Sequence, residues 1–328
     1  DCHDLMKMTF PSNISYIGER AFYDCRSLNE IIIPSSVTSI GPHAFRKCLS
    51  LTKVKIPSSV ISIGAHAFAQ CSKLVRIIIP SSVESIGANA FDGCILLKQI
   101  NIPSSVTSIG ECAFLDCILL EDVQISSSLT AIKHHTFMGC PKLTKIFIPA
   151  SIEFIGKGAF KNCPSITQVS FENLSNLKKI EKNAFEECKL LAQISLPSSL
   201  MSIGSGIFRS DSSLTEINIP SSVTSINKFS FKECISLEKV SFPSKLTSID
   251  EYAFYKCFSL KKIIIPPSVT SIGECAFNLC QKITEIEFDK ASSLISIGKQ
   301  AFSRLLCLKK IAIPSTVKSI GSYAFLGC

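Results

Sequence analysis

Apolar residues recur at the same positions every 23 residues along this chain. One copy, spanning residues 28–48, reads LNEIIIPSSVTSIGPHAFRKC. Its opening L-x-x-I-x-I pattern alternates apolar and variable positions, which predicts a β-strand with one buried face. Leu28, Ile31 and Ile33 are therefore expected to point inward, whereas Ile32 is expected to point outward.

A turn and a second apolar stretch complete the repeat. Pro34 ends the first strand because proline has no N–H to donate to a ladder. Val37 and Ile40 predict a second short extended segment, and the Ala-Phe step at Phe45 predicts a short helical or 3₁₀ turn. Gly41 is expected to hold a backbone conformation that is unfavourable for other residues.

Fourteen phenylalanines mark fourteen copies that fill the chain from end to end. Two copies have 25 residues, and their extra residues fall in the turn after the first strand, near positions 173–176 and 291–293. Such a period predicts a curved, right-handed solenoid with a parallel sheet, forming one domain over residues 1–328. Neither end shows a capping repeat. We therefore expect a fragment of a longer array, with apolar ends open to end-to-end association.

Charge and hydropathy narrow the range of partners. The net charge is +8, from 34 basic and 26 acidic residues. The bases are scattered among acids and form no run of five, which argues against nucleic-acid binding. No apolar run approaches the ~18 residues that a membrane span requires. The expected partner is therefore a protein or another surface macromolecule.

Sixteen cysteines raise the question of disulfides or metal. Thirteen occupy one slot, at the end of each copy. Stacked copies would place neighbouring slots ~5 Å apart, whereas a disulfide requires Cβ atoms ~3.8 Å apart. The spacing favours a ladder of buried free thiols, with disulfides as the alternative. The chain has no C-x-x-C pair, which argues against a zinc knuckle.

Other candidate chemistry is sparse. Two positions before each phenylalanine, consecutive copies carry His43, His66, Asn89, Cys112 and His135. Neighbouring pairs supply too few ligands for a metal, so we interpret this as a variable, solvent-facing column and expect no metal or cofactor. The chain lacks a G-x-S-x-G elbow, a phosphate-binding glycine loop and an H-E-x-x-H motif. We therefore expect no catalytic residues and no enzymatic activity.

The complete pattern L-x-x-I-x-I-P-S-S-V-T-S-I-G-x-x-A-F-x-x-C resembles the BspA-like, or Treponema-type, class of leucine-rich repeat, over the whole chain. The wording IPSSVTSIG is closer to the protist members. The resemblance implies a leucine-rich-repeat solenoid that acts as a cell-surface adhesin or antigen and engages host or microbial proteins. For such a cell-surface or extracellular protein, the anchor or signal is expected outside this segment. An intracellular protein-interaction scaffold is the alternative.

The candidate binding surface is the concave strand face. The outward positions there vary while their inward neighbours stay apolar. Exposed apolar and basic side chains together suit a protein interface. The candidate ligand-binding residues are Ile32, Lys53, Arg76, Ile78, Lys145 and Phe147.

Overall fold

The computed structural model describes residues 2–328, which divide into two compact units with the boundary after Cys163. Each unit is a stack of turns, and every turn contributes up to two short parallel strands. The prediction that residues 1–328 form one domain stays a prediction. The strands of the first unit are β1 (Tyr16–Ile17), β2 (Glu30–Ile32), β3 (Ser39–Ile40), β4 (Lys53–Lys55), β5 (Ser62–Ile63), β6 (Ser85–Ile86), β7 (Gln99–Asn101), β8 (Ser108–Ile109), β9 (Asp122–Gln124), β10 (Ala131–Ile132), β11 (Lys145–Ile148) and β12 (Phe154–Ile155).

The second unit repeats this arrangement. Its strands are β13 (Gln168–Phe171), β14 (Lys179–Ile180), β15 (Ser202–Ile203), β16 (Glu216–Asn218), β17 (Ser225–Ile226), β18 (Lys239–Ser241), β19 (Ser248–Ile249), β20 (Lys262–Ile265), β21 (Ser271–Ile272), β22 (Glu285–Phe288), β23 (Ser296–Ile297) and β24 (Ser319–Ile320). Longer strands come from the L-x-x-I-x-I segments, and two-residue strands end at the isoleucine of the second apolar stretch, most often as Ser-Ile.

The strands pair in parallel and keep the same register from turn to turn. In the first unit, the two-residue strands form a sheet in the order β1-β3-β5-β6-β8. Ile40 pairs with Ile63, which is 23 positions further along. In the second unit, Ile272 pairs with Ile297 across one of the longer copies. The extra residues therefore bulge out in the turn and leave the register unchanged, as predicted.

The core of each unit consists of identical side chains stacked in columns. Ile40 and Ile63 are each 1% exposed. The rings of Phe45 and Phe68 are fully buried and nearly parallel, with centroids 5.3 Å apart. A stack of this kind buries apolar area between neighbouring turns rather than around one centre. The solenoid fold predicted from the repeat is confirmed.

The expected helical or 3₁₀ piece is wrong, since no helix is present in residues 2–328. His43 and Lys47 hold positive φ angles of 55° and 63°, which interrupt any helix around Phe45. The N–H groups of these three residues donate to carbonyls of the following turn, at 2.8 Å each. Left-handed residues recur two positions before and two positions after every repeat phenylalanine. These left-handed residues orient backbone N–H groups toward the carbonyls of the next turn.

The expectation for Gly41 is also wrong, because its column avoids side chains for a different reason. Neither Gly41 nor Gly64 has a φ in the left-handed region. A Cβ on Gly64 would instead lie 2.6 Å from the carbonyl carbon of Gly41 and from the nitrogen of Pro42. Close approach of neighbouring turns therefore explains the glycine, and the strained conformations lie at other positions.

Eleven of the thirteen slot cysteines are buried as free thiols, whereas Cys2 and Cys328, at the two ends of the described residues, are exposed. The Cys48 thiol donates to the Phe22 carbonyl oxygen at 3.1 Å, and Cys71 donates in the same way to Phe45 at 3.2 Å. The contact repeats through both units. A small apolar side chain with a weak donor fits this position, because it fills space and also reaches a buried carbonyl.

Candidate macromolecule-binding face

The L-x-x-I-x-I strands present a row of outward side chains, which we call the strand face. Along β2 the exposure alternates, with Ile31 buried between exposed Glu30 and Ile32. In the pairing of β2 with β4, Glu30 is opposite Lys53 and Ile32 is opposite Lys55. The alternation predicted for this face is confirmed. Side chains from successive turns therefore lie side by side.

All six predicted binding residues lie on this face and are exposed. Ile32, Ile78 and Phe147 are 62%, 65% and 53% exposed. Lys53 and Arg76 are joined by a parallel bridge, so two cations stand on adjacent turns. Phe147 and Lys145 lie on β11, further along the stack than Ile78. The six predicted binding residues thus form two groups. The first group contains four residues, and the second group is the pair on β11.

Lys55 and Val75 complete the first group, although sequence reasoning did not select them. A shallow depression of about 720 Å³ is lined by Lys53, Val54, Lys55, Val75, Arg76 and Ile78. We call it the Val54 depression, because Val54 forms its apolar floor. Lys55 could have been chosen from the sequence, since it occupies the same column as Ile32 and Ile78. No sequence signal identified Val75.

The strand ladder opens at this depression. β4 pairs with β2 along its length, but the only pairing on its other side within the described residues is the Lys53–Arg76 bridge. Val54 is partly exposed, whereas Ile31 and Ile77 in the neighbouring turns are 1% and 4% exposed. With only one bridge between these two turns, the side chain of Val54 is left partly open to solvent.

A second depression of about 670 Å³ lies on the strand face of the second unit, between β18 and β20. Lys262 beside it donates to Glu285 at 2.9 Å and to Glu287 at 2.7 Å. Lys261 donates to Glu238 at 2.5 Å. Hydrogen bonds to Glu287 and Glu285 raise the pKa of Lys262. Two lysines of this second depression are therefore neutralised by local carboxylates.

The cations around the Val54 depression are in a different situation. In residues 2–328, no ion pair within 4.0 Å involves Lys53, Lys55 or Arg76. Glu30 is the register partner of Lys53 on β2 but forms no such pair with it. Three positive charges thus border an apolar surface, and none of them takes part in an ion pair within the described residues.

The histidine column faces solvent only in part, because its five side chains are half-buried. His43 and His66 are half-buried and stack with ring centroids 4.6 Å apart. Burial first, and then the Arg46 guanidinium, lowers the pKa of His43. Within the described part of the chain, no group of three or more potential metal ligands is present. His43 and His66 lie on neighbouring turns, and their stacked rings shield each other from solvent.

Comparisons with known proteins place this architecture in a class, the leucine-rich-repeat solenoids. A family model described as BspA type leucine rich repeat region (6 copies) matches residues 1–121, 113–228 and 201–328. The chain therefore belongs to the BspA-type leucine-rich-repeat family. A search of curated proteins finds no match. In residues 2–328, no helix has the length and apolar character needed to cross a membrane.

Several solved structures share the fold. A leucine-rich repeat protein from Bacteroides ovatus is 33% identical, covers 96% of this chain and 80% of its own, and has a TM-score of 0.71. A leucine rich cell surface protein from Faecalibacterium prausnitzii is 34% identical, covers 84% and 83%, and has a TM-score of 0.57. The pneumococcal vaccine antigen PcpA, at 23% identity, covers 95% and 82% with a TM-score of 0.56, and shows the fold alone. These relatives are bacterial, so closeness to protist members stays a prediction.

Proposed function

We propose that this chain is a non-enzymatic scaffold that binds other macromolecules through its strand face. The observation that carries the proposal is the contrast between the two sides of each strand. Inward positions such as Ile31 stay apolar and buried, whereas outward positions change from turn to turn. Ile32, Ile78 and Phe147 stand exposed among cations on that variable surface. Aromatic and basic side chains on a rigid surface are typical anchors of protein interfaces.

A display selection tests the binding face and requires no known ligand. A random-peptide library is panned against the intact chain, and the selected peptides are then measured on two variants. Phe147→Ser with Arg76→Ser removes one aromatic and one basic anchor from the strand face. Ile61→Ser with Glu84→Ser is the matched control, because it removes one exposed apolar and one exposed charged residue from the side of the two-residue strands.

The two variants give opposite expectations. We expect most selected peptides to lose at least about tenfold in affinity for the strand-face variant, as truncated anchors usually cause. The control variant keeps the original affinity. Selected peptides that ignore the strand-face variant and respond to the control would contradict the proposal and move binding to the other side of the turns.

We further propose that the scaffold works at a cell surface, as an adhesin or antigen that engages host or microbial proteins. Support comes from the family and from the Faecalibacterium relative, which is described as a cell surface protein. The test is antibody labelling of intact and permeabilised cells that express the natural gene. Labelling of intact cells supports the surface role. Labelling only after permeabilisation would favour the intracellular interaction scaffold.

Two partner predictions accompany this proposal. The net charge of +8 is spread among acids, so we expect no binding of duplex DNA at about 150 mM salt, where weak electrostatic contacts are screened. We also expect concentration-dependent self-association of the 328-residue chain. Its last turn exposes Ile320 and Tyr323, at 51% and 63%. Light scattering that finds a monomer at every concentration would contradict the second expectation.

A further inference from the structure

We propose that the Val54 depression is a docking site for an acidic protein segment in which an apolar side chain stands between carboxylates. This inference rests on the proposed scaffold function and names the chemistry of its partner. Four observations carry it: an apolar floor, apolar walls, a rim of basic side chains without ion pairs, and the contrast with the second unit.

The apolar floor and walls of the Val54 depression favour binding of an apolar side chain. Val54 is partly exposed, and the ladder is open beside β4. Val75 and Ile78 stand next to it and are 44% and 65% exposed. A depression of about 720 Å³ has room for a branched aliphatic side chain and its neighbours. Covering this surface removes apolar area from water at roughly 25 cal/mol per Å².

The basic side chains at the rim favour a ligand that carries negative charges on both sides of its apolar group. Lys53 and Arg76 stand on adjacent turns, and Lys55 lies on the same strand as Lys53. Their mutual repulsion is relieved when a carboxylate reaches between them. Arg76 also offers a planar guanidinium that can bind a carboxylate in a bidentate manner. Glu30 beside Lys53 contributes one negative charge, and it leaves the net charge of this group positive.

The second unit shows what a self-compensated version of this surface looks like. Lys261 and Lys262 bind Glu238, Glu285 and Glu287 there, at distances of 2.5 to 2.9 Å. The chain therefore has the means to neutralise strand-face lysines. It does so beside the second depression and leaves the Val54 depression positive. Charge complementarity thus assigns an acidic partner to the first unit specifically.

A protein segment fits these features better than a polyanion such as a sulfated glycan or a nucleic acid. A glycan or phosphate backbone would satisfy Lys53, Lys55 and Arg76 but would place no aliphatic group over Val54 and Ile78. An acidic peptide with one leucine satisfies both. The site should therefore bind an acidic peptide with a leucine more tightly than a polyanion without an apolar group, and this difference in affinity can be measured.

The experiment uses the intact 328-residue chain and four probes. The first is a fluorescent peptide with the core Glu-Asp-Leu-Asp-Glu between Gly-Ser spacers. The second replaces the central leucine with serine, and the third replaces the four acids with amides. The fourth probe is a heparin fragment. Affinity is measured by fluorescence anisotropy at low and high salt.

We expect the leucine peptide to bind with a Kd below about 1 mM and the amide peptide not to bind. Salt should weaken binding, since the cations are exposed. The Lys53→Ser, Lys55→Ser, Arg76→Ser variant should lose at least about tenfold in affinity. Val75→Ser with Ile78→Ser should abolish the preference for leucine over serine. Both variants change exposed residues, and circular dichroism checks that they stay folded.

A matched variant controls for bulk charge. Lys239→Ser, Lys261→Ser, Lys262→Ser lowers the net charge by the same amount on the strand face of the second unit. It should leave the affinity of the leucine peptide unchanged. An equal loss in this variant would overturn the inference, because binding would then follow net charge.

Two other outcomes would also overturn it. One is absence of saturable binding of the leucine peptide. The other is equal binding of the leucine and serine peptides with competition by heparin, which would define a simple polyanion site. The display selection separates these failures from failure of the scaffold function. Selected peptides that need the strand face but lack acids would refute the acidic partner and leave the scaffold proposal standing.

Discussion

The Asp211 carboxylate accepts a hydrogen bond of 2.9 Å from the backbone N–H of Cys188, in the slot that most turns fill with cysteine. Asp211 is fully buried, and its second oxygen has no hydrogen-bond partner in the described structure. Burial, and then the charges of Glu186 and Glu187, raise the pKa of Asp211 well above its usual value. This residue is a local weak point, because its buried carboxyl must either stay protonated or carry an unpaired charge.

Replacing Asp211 with cysteine should therefore stabilise the second unit. We expect Asp211→Cys to raise the free energy of unfolding by about 1–3 kcal/mol at pH 7, the usual scale for an unsatisfied buried polar group. The folded-state pKa is raised, so wild-type stability from this group is present below the unfolded value of 3.8 and is lost as pH rises. The gain in the variant should consequently be larger at pH 7 than at pH 4. Urea unfolding at both pH values measures it.

The reverse substitution is a matched control for this prediction. Cys234 occupies the same slot one turn later, and its thiol donates to the Phe208 carbonyl at 3.0 Å. Cys234→Asp should destabilise the chain at pH 7. A gain in Asp211→Cys that does not depend on pH would show that packing, rather than proton binding, controls this slot.

Phe114 provides a test of stacked rather than central packing. Its ring lies parallel to those of Phe91 and Phe137, with centroids 5.3 and 5.4 Å away. Phe114→Ala should cost about 3–5 kcal/mol. The loss should be local, because each turn depends on its nearest neighbours. Hydrogen exchange should accelerate around this turn first, whereas exposed Phe147→Ala should change little. Uniform acceleration through both units would contradict this view.

We expect the stacked histidines to make the first unit sensitive to acid. Burial first, and then charges on Arg46 and Arg20, lower the pKa of His43, with Glu19 acting in the opposite direction. Burial first, and then His43, lowers the pKa of His66. A lowered folded-state pKa means that stability is present above the unfolded value of about 6.5 and is lost as pH falls through the folded pKa.

A double variant isolates this effect. Asn89 occupies the same left-handed column with φ 54°, so asparagine is compatible with the backbone there. We expect the free energy of unfolding of the wild type to fall as the pH drops below about 6.5, the ordinary histidine pKa, because the folded-state pKa values of this pair lie lower. His43→Asn with His66→Asn should flatten that fall, as measured by urea unfolding on both sides of that pH. An unchanged pH slope in the variant would contradict the role of the pair.

The repeat pattern predicted the fold because each inward column is almost uniform. Ile40 and Phe45 meet copies of themselves in neighbouring turns, so one copy defines the packing of the next. The left-handed positions were not predicted, because side chains there vary from His43 to Gly158. The sequence does contain a signal: no valine, isoleucine or threonine occurs in either left-handed column. Branched side chains are the ones most strongly disfavoured at positive φ.

The candidate site was predicted in part, for a related reason. Outward positions such as Ile32 and Arg76 follow from the strand alternation, which is local. Exposure of Val54 follows from the open ladder beside β4, which depends on pairing between turns. Compensation of Lys262 by Glu285 and Glu287 likewise depends on side-chain geometry. The side chains that form each column can be predicted from the sequence of one repeat. The distances between neighbouring turns cannot.

Close approach at the glycine column yields a direct prediction. A Cβ on Gly64 would lie 2.6 Å from backbone atoms of the preceding turn, so these turns must separate to admit it. Gly64→Ala should cost about 1–3 kcal/mol through overpacking. Asp250 occupies the same column with a side chain already present, and its N–H still donates to Ile226 at 2.9 Å. Asp250→Ala should therefore be tolerated. Equal losses of thermal stability in the two variants would show that contact between turns is not the cause.

The buried slot cysteines should react only when the chain unfolds. Burial raises the pKa of the Cys48 and Cys163 thiols to about 12, which keeps both protonated and unreactive at neutral pH. Cys2, Cys307 and Cys328 are exposed. We expect a disulfide reagent without added reductant to label these three rapidly in native buffer and all sixteen cysteines in guanidinium chloride. A denatured count well below sixteen would reveal disulfides, and fast native labelling of Cys48 would show that its turn opens readily.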